Sequence, residues 1–146
     1  MKVFQAMTPA VRIAHPNDTL QTAAQIMCEC DFGFLPVGHN DRLVGMITDR
    51  DIAVRAVACG AQPFERVADF MTREVKYCYA DDDLDDVMEN MAQQKVRRLP
   101  VLNNAKRLVG AHSLSDAAHE YQPQIAGEAL GRIATPGGKH TQSPAF

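Results

Sequence analysis

No apolar run in this chain approaches the roughly 20 residues that a membrane-spanning helix needs, so no crossing of a bilayer is expected. Basic charge is not in excess either. Fifteen Lys and Arg against eighteen Asp and Glu leave a net charge of −3, without the basic field that draws proteins to nucleic acid or anionic lipid, and nucleic acid is set aside as the primary partner. Cysteine is scarce: Cys28, Cys30, Cys59 and Cys78 are too few and too irregular for a disulfide scaffold. Cys28 and Cys30, two apart on a helix, would not face each other to chelate, and reduced, partly buried thiols are the expectation. His15, His39, His112, His119 and His140 show no metal-ligand spacing, so no metal is expected. No nucleophile with a base and no activated-water site can be assembled, which argues against an enzyme and a catalytic cofactor. Met1 to Gln5 leads directly into patterned sequence rather than a secretory leader, and a cytoplasmic location is expected.

What the chain has is a repeat. At an offset of 64, Met7-Thr8 falls on Met71-Thr72, Val11 on Val75, Asp18 on Asp82, Leu20 on Leu84, Met27 on Met91, and Leu35-Pro36-Val37 on Leu99-Pro100-Val101. One extra residue in a turn shifts the offset to 65, where Arg42-Leu43-Val44-Gly45 covers Arg107-Leu108-Val109-Gly110 and Asp51 covers Asp116. Each copy is too small to bury its apolar face alone, so a pseudo-two-fold module of two intimately paired halves is expected from these 146 residues, 46% of them apolar. The boundaries expected are 1–63 for the first repeat, 64–121 for the second and 122–146 for a tail.

Each repeat reads as strand, helix, strand, strand, helix. Val11-Arg12-Ile13 is extended and closed by His15-Pro16. Asp18 is a candidate N-cap for a helix with an apolar stripe at Leu20, Ala23, Ala24 and Met27, matched by Leu84, Val87, Met88 and Met91 behind the acidic start Asp81 to Asp83. Phe34 to Val37 and Leu99 to Leu102 read as strands whose prolines confine them to a sheet edge or a strand end. Leu43 to Thr48 and Leu108 to Ser113 read as strands buried on both faces. A second helix follows each, the first over about Asp49 to Cys59 with Gly60 as a left-handed C-cap, the second from near Ser115. From Gln122 the Pro- and Gly-rich sequence predicts a mostly mobile tail with at most a helical turn or two.

Two segments carry chemistry: Gly45-Met46-Ile47-Thr48-Asp49-Arg50-Asp51 and Gly110-Ala111-His112-Ser113-Leu114-Ser115-Asp116. In each, a buried strand ends in a hydroxyl residue and an aspartate follows three positions later at a helix start. Hydroxyl and free backbone N–H groups there suit a phosphate, and the carboxylate can accept two hydrogen bonds from a vicinal diol, the two functions of a ribose phosphate. The same pattern is also a capping box, in which side chain and backbone satisfy each other. A carboxylate reserved for ligand would cost the free protein little when replaced by alanine, whereas a capping carboxylate costs about 0.5–2 kcal/mol.

With Met7-Thr8 and Met71-Thr72, the Leu-Pro-Val strands and two Gly-x-x-Ser/Thr-x-x-Asp segments, all occurring twice and in order over about Met1 to Tyr121, the chain resembles the cystathionine-β-synthase (CBS) domains. These occur as tandem pairs called Bateman modules, and the resemblance is nearest to the small stand-alone bacterial members. It implies an α+β fold of two pseudo-symmetric βαββα repeats packed sheet to sheet. It also implies a cleft for an adenosine-containing regulatory ligand such as AMP, ADP, ATP, NAD or S-adenosylmethionine, with hydroxyl on phosphate and aspartate on ribose. Carried over crosswise, one cleft combines Thr48, Arg50 and Asp51 with Lys76, Tyr77, Cys78, Val96, Arg97, Arg98 and Pro100. The other combines Ser113, Ser115 and Asp116 with Arg12, Ile13, Ala14, His15, Gly33, Phe34 and Pro36.

Arg97 and Arg98 are matched in repeat one by Gly33 and Phe34, so the two clefts should differ, with the Thr48/Asp51 cleft favouring ligands richer in phosphate. Adjacent strand residues point to opposite faces, so one of the two arginines would enter the cleft. The expected function is a ligand sensor that signals by conformational change to its own dimer or to a downstream protein. A ligand-free dimerisation or interaction module remains the alternative. On family grounds a homodimer is expected, with Ile52, Ala53, Ala56 and Val57 either meeting their symmetry mates or packing internally.

Overall fold

A computed structural model describes residues 1–135. They form two compact units that do not follow the order of the repeats: one contains Met1–Val11 together with the described residues from Lys76 onward, the other Arg12–Val75. The leading Met-Thr segment of each repeat is thus grouped with the later elements of the other repeat.

The first unit opens with helix α1 (Val3–Ala6) and strand β1 (Thr8–Pro9). In the second unit follow helix α2 (Leu20–Cys30) and the hairpin of β2 (Phe34–His39) with β3 (Arg42–Thr48). Back in the first unit come β4 (Cys78–Tyr79), α3 (Leu84–Gln94), β5 (Arg98–Leu102), β6 (Leu108–Ser113), α4 (Leu114–Glu120) and α5 (Pro123–Ile133). The first unit's sheet runs β1-β6-β5-β4, with β4 parallel to β5 and the other pairs antiparallel. The second unit repeats the plan in reduced form around the antiparallel β2–β3 pair: Ala14 bridges Val37 in parallel and Thr72 bridges Met46 in antiparallel sense.

Several local expectations are corrected. Thr19, not Asp18, caps α2, its hydroxyl accepting from the Thr22 N–H; Asp18 instead accepts the His15 N–H at 2.8 Å. The helix expected over Asp49 to Cys59 is a π-helix over Asp51–Ala56 continued by a 3-10 turn over Val57–Cys59, closed by Gly60 at φ 89° as anticipated. β5 is an inner strand, so Pro100 does not lie at an edge. It is tolerated because β4 pairs only beyond it, with Val101 and Leu102, and asks no N–H of residue 100. Three thiols, Cys28, Cys30 and Cys59, are exposed, and only Cys78 is buried.

The expected tail is also overturned as far as Thr135. Residues 123–133 form three turns of helix with Pro at the start, where its missing N–H costs no bond. Ala126, Ala129 and Ile133 recur along one face and are buried; Ile133, fully inaccessible, contributes about 1.5–3 kcal/mol. Spacing rather than composition decided the outcome. The rest of the expected tail, residues 136–146, lies outside the described residues.

The repeated glycines mark the tightest backbone approach in each unit. A Cβ on Gly110 would lie 2.5 Å from the Thr8 carbonyl oxygen and 2.9 Å from Met7 Sδ; on Gly45 it would lie 2.5 Å from Met71 Sδ and 2.9 Å from the Thr72 carbonyl oxygen. Gly110→Ala and Gly45→Ala are therefore each expected to lower unfolding free energy by about 1–3 kcal/mol, read from urea midpoints. Wild-type midpoints would contradict this packing.

Candidate functional site

Both hydroxyl–acid segments form reciprocal hydrogen-bonded boxes at the ends of their strands. In the second unit the Thr48 N–H donates to Asp51 Oδ2 at 2.9 Å and the Asp51 N–H donates to Thr48 Oγ1 at 3.1 Å. In the first unit the Ser113 N–H donates to Asp116 Oδ2 at 2.9 Å and the Asp116 N–H donates to Ser113 Oγ at 3.1 Å. The capping reading is therefore realised twice. It does not exhaust the carboxylates, since an ionised aspartate accepts about four hydrogen bonds.

The remaining oxygens differ. Asp116 Oδ1 accepts from Thr8 Oγ1 at 3.1 Å, while Asp51, buried at 2% exposure, has Arg55 Nη1 at 4.0 Å from its Oδ1. Sequence reasoning had assigned no role to Thr8 or Arg55. The recurrence of Met-Thr hinted at the first, and the i, i+4 spacing of Asp51 and Arg55 could have shown the second.

Backbone register decides which other residues stand beside each box. Arg98 is paired with Ser113, and the Leu114 N–H donates to the Arg97 carbonyl, so in the first unit both arginines adjoin the Ser113/Asp116 box. Phe34 is likewise paired with Thr48, and the Asp49 N–H donates to the Gly33 carbonyl. A Cβ on Gly33 would fall 2.4 Å from Asp49 Oδ2. Repeat one thus lacks the arginines and also has a carboxylate in the space a side chain at 33 would need.

Other residues of the expected clefts fall into two groups. Ala14, Phe34, Pro36, Cys78, Val96 and Pro100 are buried. Burial, with a smaller contribution from Asp82, pushes the Cys78 thiol up to about 12, so it stays protonated. Arg12, Ile13, Arg50, Lys76, Tyr77, Arg97 and Ser115 are exposed, and Arg98 and Ser113 half-buried. Tyr77 packs edge-on against Tyr79 with ring centroids 5.6 Å apart, and Arg12 is engaged by Glu29 at 2.6 Å. His15 contacts His39 ring to ring, nitrogen to nitrogen at 3.0 Å. Among the described residues no three His, Cys, Asp or Glu side chains gather as metal ligands.

His112, adjacent to Ser113, occupies the place that Ile47 holds in repeat one. Its ring is fully buried and neither nitrogen has a hydrogen-bond partner, which costs about 1–3 kcal/mol. Burial lowers its pKa, opposed more weakly by Asp116.

Two repeats of one α+β plan, each closing a buried strand with a hydroxyl–acid box, define a tandem-repeat module. Residues 3–57 and 67–121 both match the CBS domain, and the chain belongs to that family as a tandem pair. It is 37% identical over 133 residues to the CBS domain-containing protein YhcV of Bacillus subtilis, covering 90% of this chain and 94% of that one. It is 34% identical over 132 residues to hypoxic response protein 1 of Mycobacterium tuberculosis, covering 89% and 92%. Among solved structures it is similar to Hypoxic Response Protein I with two coordinated zinc ions, at TM-score 0.74 and 34% identity over 81% of this chain and 97% of that one. It is also similar to the CBS domain pair of protein MJ0100 in complex with 5′-methylthioadenosine and S-adenosyl-L-methionine, at TM-score 0.74 and 27% identity over 85% and 98%.

Two outcomes follow from this geometry. Asp51→Ala removes the acceptor of the Thr48 N–H, and the free protein is expected to lose about 0.5–2 kcal/mol, measured by urea unfolding; no loss would mean that the box is not formed. For His112, the folded state keeps the ring neutral while the unfolded chain takes up a proton near its ordinary pKa of 6.5. Stability should therefore fall as the pH drops through about 6.5 and continue to fall down to the folded-state pKa. His112→Leu should remove that component, so the mutant's advantage grows between about pH 7.5 and 5.5; an advantage independent of pH would contradict the assignment.

Proposed function

We propose that this CBS pair is a cytoplasmic, dimerising sensor that binds an adenosine-containing ligand and signals through the resulting conformational change. The carrying observation is the duplicated strand–hydroxyl–acid box, each with a carboxylate that retains accepting capacity for a ribose diol. The similarity to a CBS pair solved with 5′-methylthioadenosine and S-adenosyl-L-methionine supports the same ligand class, with AMP, ADP, ATP and NAD as further candidates. Binding is the role of these groups; no catalytic step is assigned to them.

The proposed ligand contacts combine each box with the other repeat: Thr48, Arg50 and Asp51 with Lys76 to Cys78, Val96 to Arg98 and Pro100, and Ser113, Ser115 and Asp116 with Arg12 to His15, Gly33, Phe34 and Pro36. The buried members contribute through their main chain, while exposed Tyr77 offers a ring face to adenine. A second, same-repeat reading is favoured by one observation: Arg98 is paired with Ser113, so the guanidinium that binds phosphate could serve the ligand whose ribose is on Asp116.

A thermal-shift panel of AMP, ADP, ATP, NAD and S-adenosylmethionine tests the function. A true ligand at about 100 times its Kd adds roughly 2.7 kcal/mol, a rise on the order of 5–10 °C for a chain of this size. No shift with any of the five would leave the ligand-free interaction module. Arg97→Gln with Arg98→Gln should weaken ATP and ADP more than adenosine. Combining that pair separately with Asp51→Ala and Asp116→Ala distinguishes the readings, because only the acid sharing the arginines' ligand gives a non-additive loss.

A further inference from the structure

The two units treat their equivalent helix faces differently. In the first, α5 packs across α3 and α4, and its Ala126 and Ala129 join Met88, Met91 and Ala117 in one core cluster with Leu114, Ala118 and Ile125 against it. By the repeat offsets, Met88, Met91, Leu114, Ala117 and Ala118 correspond to Ala24, Met27, Asp49, Ile52 and Ala53. Those five residues, with Val57, line an open groove of about 350 Å³ between α2 and the π-helix of the second unit. Val57 is 62% exposed, and no described residue covers the groove.

We propose that α5 is a resident cap on the self-association face of the first unit, leaving the α2/π-helix face of the second unit as the one where a second copy of this chain docks. The helix is built to be displaceable. Gly127 and Gly131 lie in its interior, where glycine disfavours helix, and no side chain caps its start, so its helicity depends on docking. Its packed stripe is mainly alanine, and its ties are exposed: Arg132 to Glu89 at 2.8 Å and the Lys95 ammonium to the Thr135 carbonyl at 3.1 Å, with the Tyr121 hydroxyl preceding it on Asp85 at 2.6 Å.

The open face fits its own copy. The same kind of helix pair accepts an alanine-lined helix in the first unit, and Ala24 and Ala53 allow equally close backbone approach in an isologous contact. Its longer helix, eleven residues, spans about 16 Å, so the contact buries less than the roughly 800 Å² per partner of stable dimers. A concentration-dependent equilibrium between one chain and two follows.

Sedimentation of the full chain without nucleotide tests this independently of ligand sensing. Wild-type mass should rise from one chain towards two with concentration, and Ala53→Arg should hold it at one; a wild type fixed at one chain, or one unaffected by Ala53→Arg, overturns the docking face. Tyr121→Phe with Arg132→Ala should loosen α5, seen as faster amide exchange, and carry the mass beyond two chains. Gly127→Ala with Gly131→Ala, where an added Cβ meets nothing within 4 Å, should slow exchange and leave the mass at or below two. Loosened α5 without higher assembly overturns the cap. Should exchange show α5 still docked, Ala129→Asp replaces the double variant, and global unfolding by circular dichroism would make α5 core rather than cap and likewise overturn the proposal.

Discussion

The contact on which both units depend is the crossing of a Met-Thr segment over a strand glycine. Thr8 is paired with Ala111 and Pro9 with Gly110 in one unit; Thr72 bridges Met46, next to Gly45, in the other. Each crossing requires a position without a side chain, because the main chain and a methionine already occupy the space where a Cβ would lie. It also completes the sheet beside the strand that ends in the hydroxyl–acid box, so Thr8 arrives within hydrogen-bond distance of Asp116. Packing at the glycine and placement of the acid are two results of one approach.

That coupling bears on how a capping residue could also bind. A carboxylate held by two backbone-anchored bonds has little freedom to reorient, which lowers the entropic cost of presenting its other oxygen to a ligand. Capping and diol recognition are then successive uses of one aspartate. Asp51, buried beside Arg55 and followed by a π-helix, is the more constrained of the two; π-helical turns are rare and concentrate at functional sites. Asp116, half-buried and next to Arg97 and Arg98 in backbone register, is the more accessible.

Much of this was legible before any coordinates. Repetition of Met-Thr, Leu-Pro-Val and Gly-x-x-Ser/Thr-x-x-Asp identified the family, the α+β plan and the paired boxes, because those residues answer to tertiary constraints present in both units. Less legible was anything set by a single neighbour. Thr19 rather than Asp18 caps α2 because Asp18 is taken by the His15 N–H. Glycine and proline content obscured α5, whose signal lay in three buried positions, Ala126, Ala129 and Ile133, at helical spacing. Gly33 looked like a missing charge; its absent side chain is required by Asp49, a relation that no spacing rule anticipates.

The repeats diverge where the shared crossing imposes nothing. Ile47 became His112 in a fully buried place, Arg97 and Arg98 stand against Gly33 and Phe34, and one helix pair carries α5 while the other faces an open groove. These differences lie on the strand end, the box and the helix face, while both glycines and both Met-Thr segments are retained. A symmetric pair would present two equal sites and two equal faces. With the crossings preserved, the chain instead carries an arginine-rich box in one unit and an acidic one in the other, so charge on a ligand's phosphates can discriminate between positions that the fold makes geometrically alike.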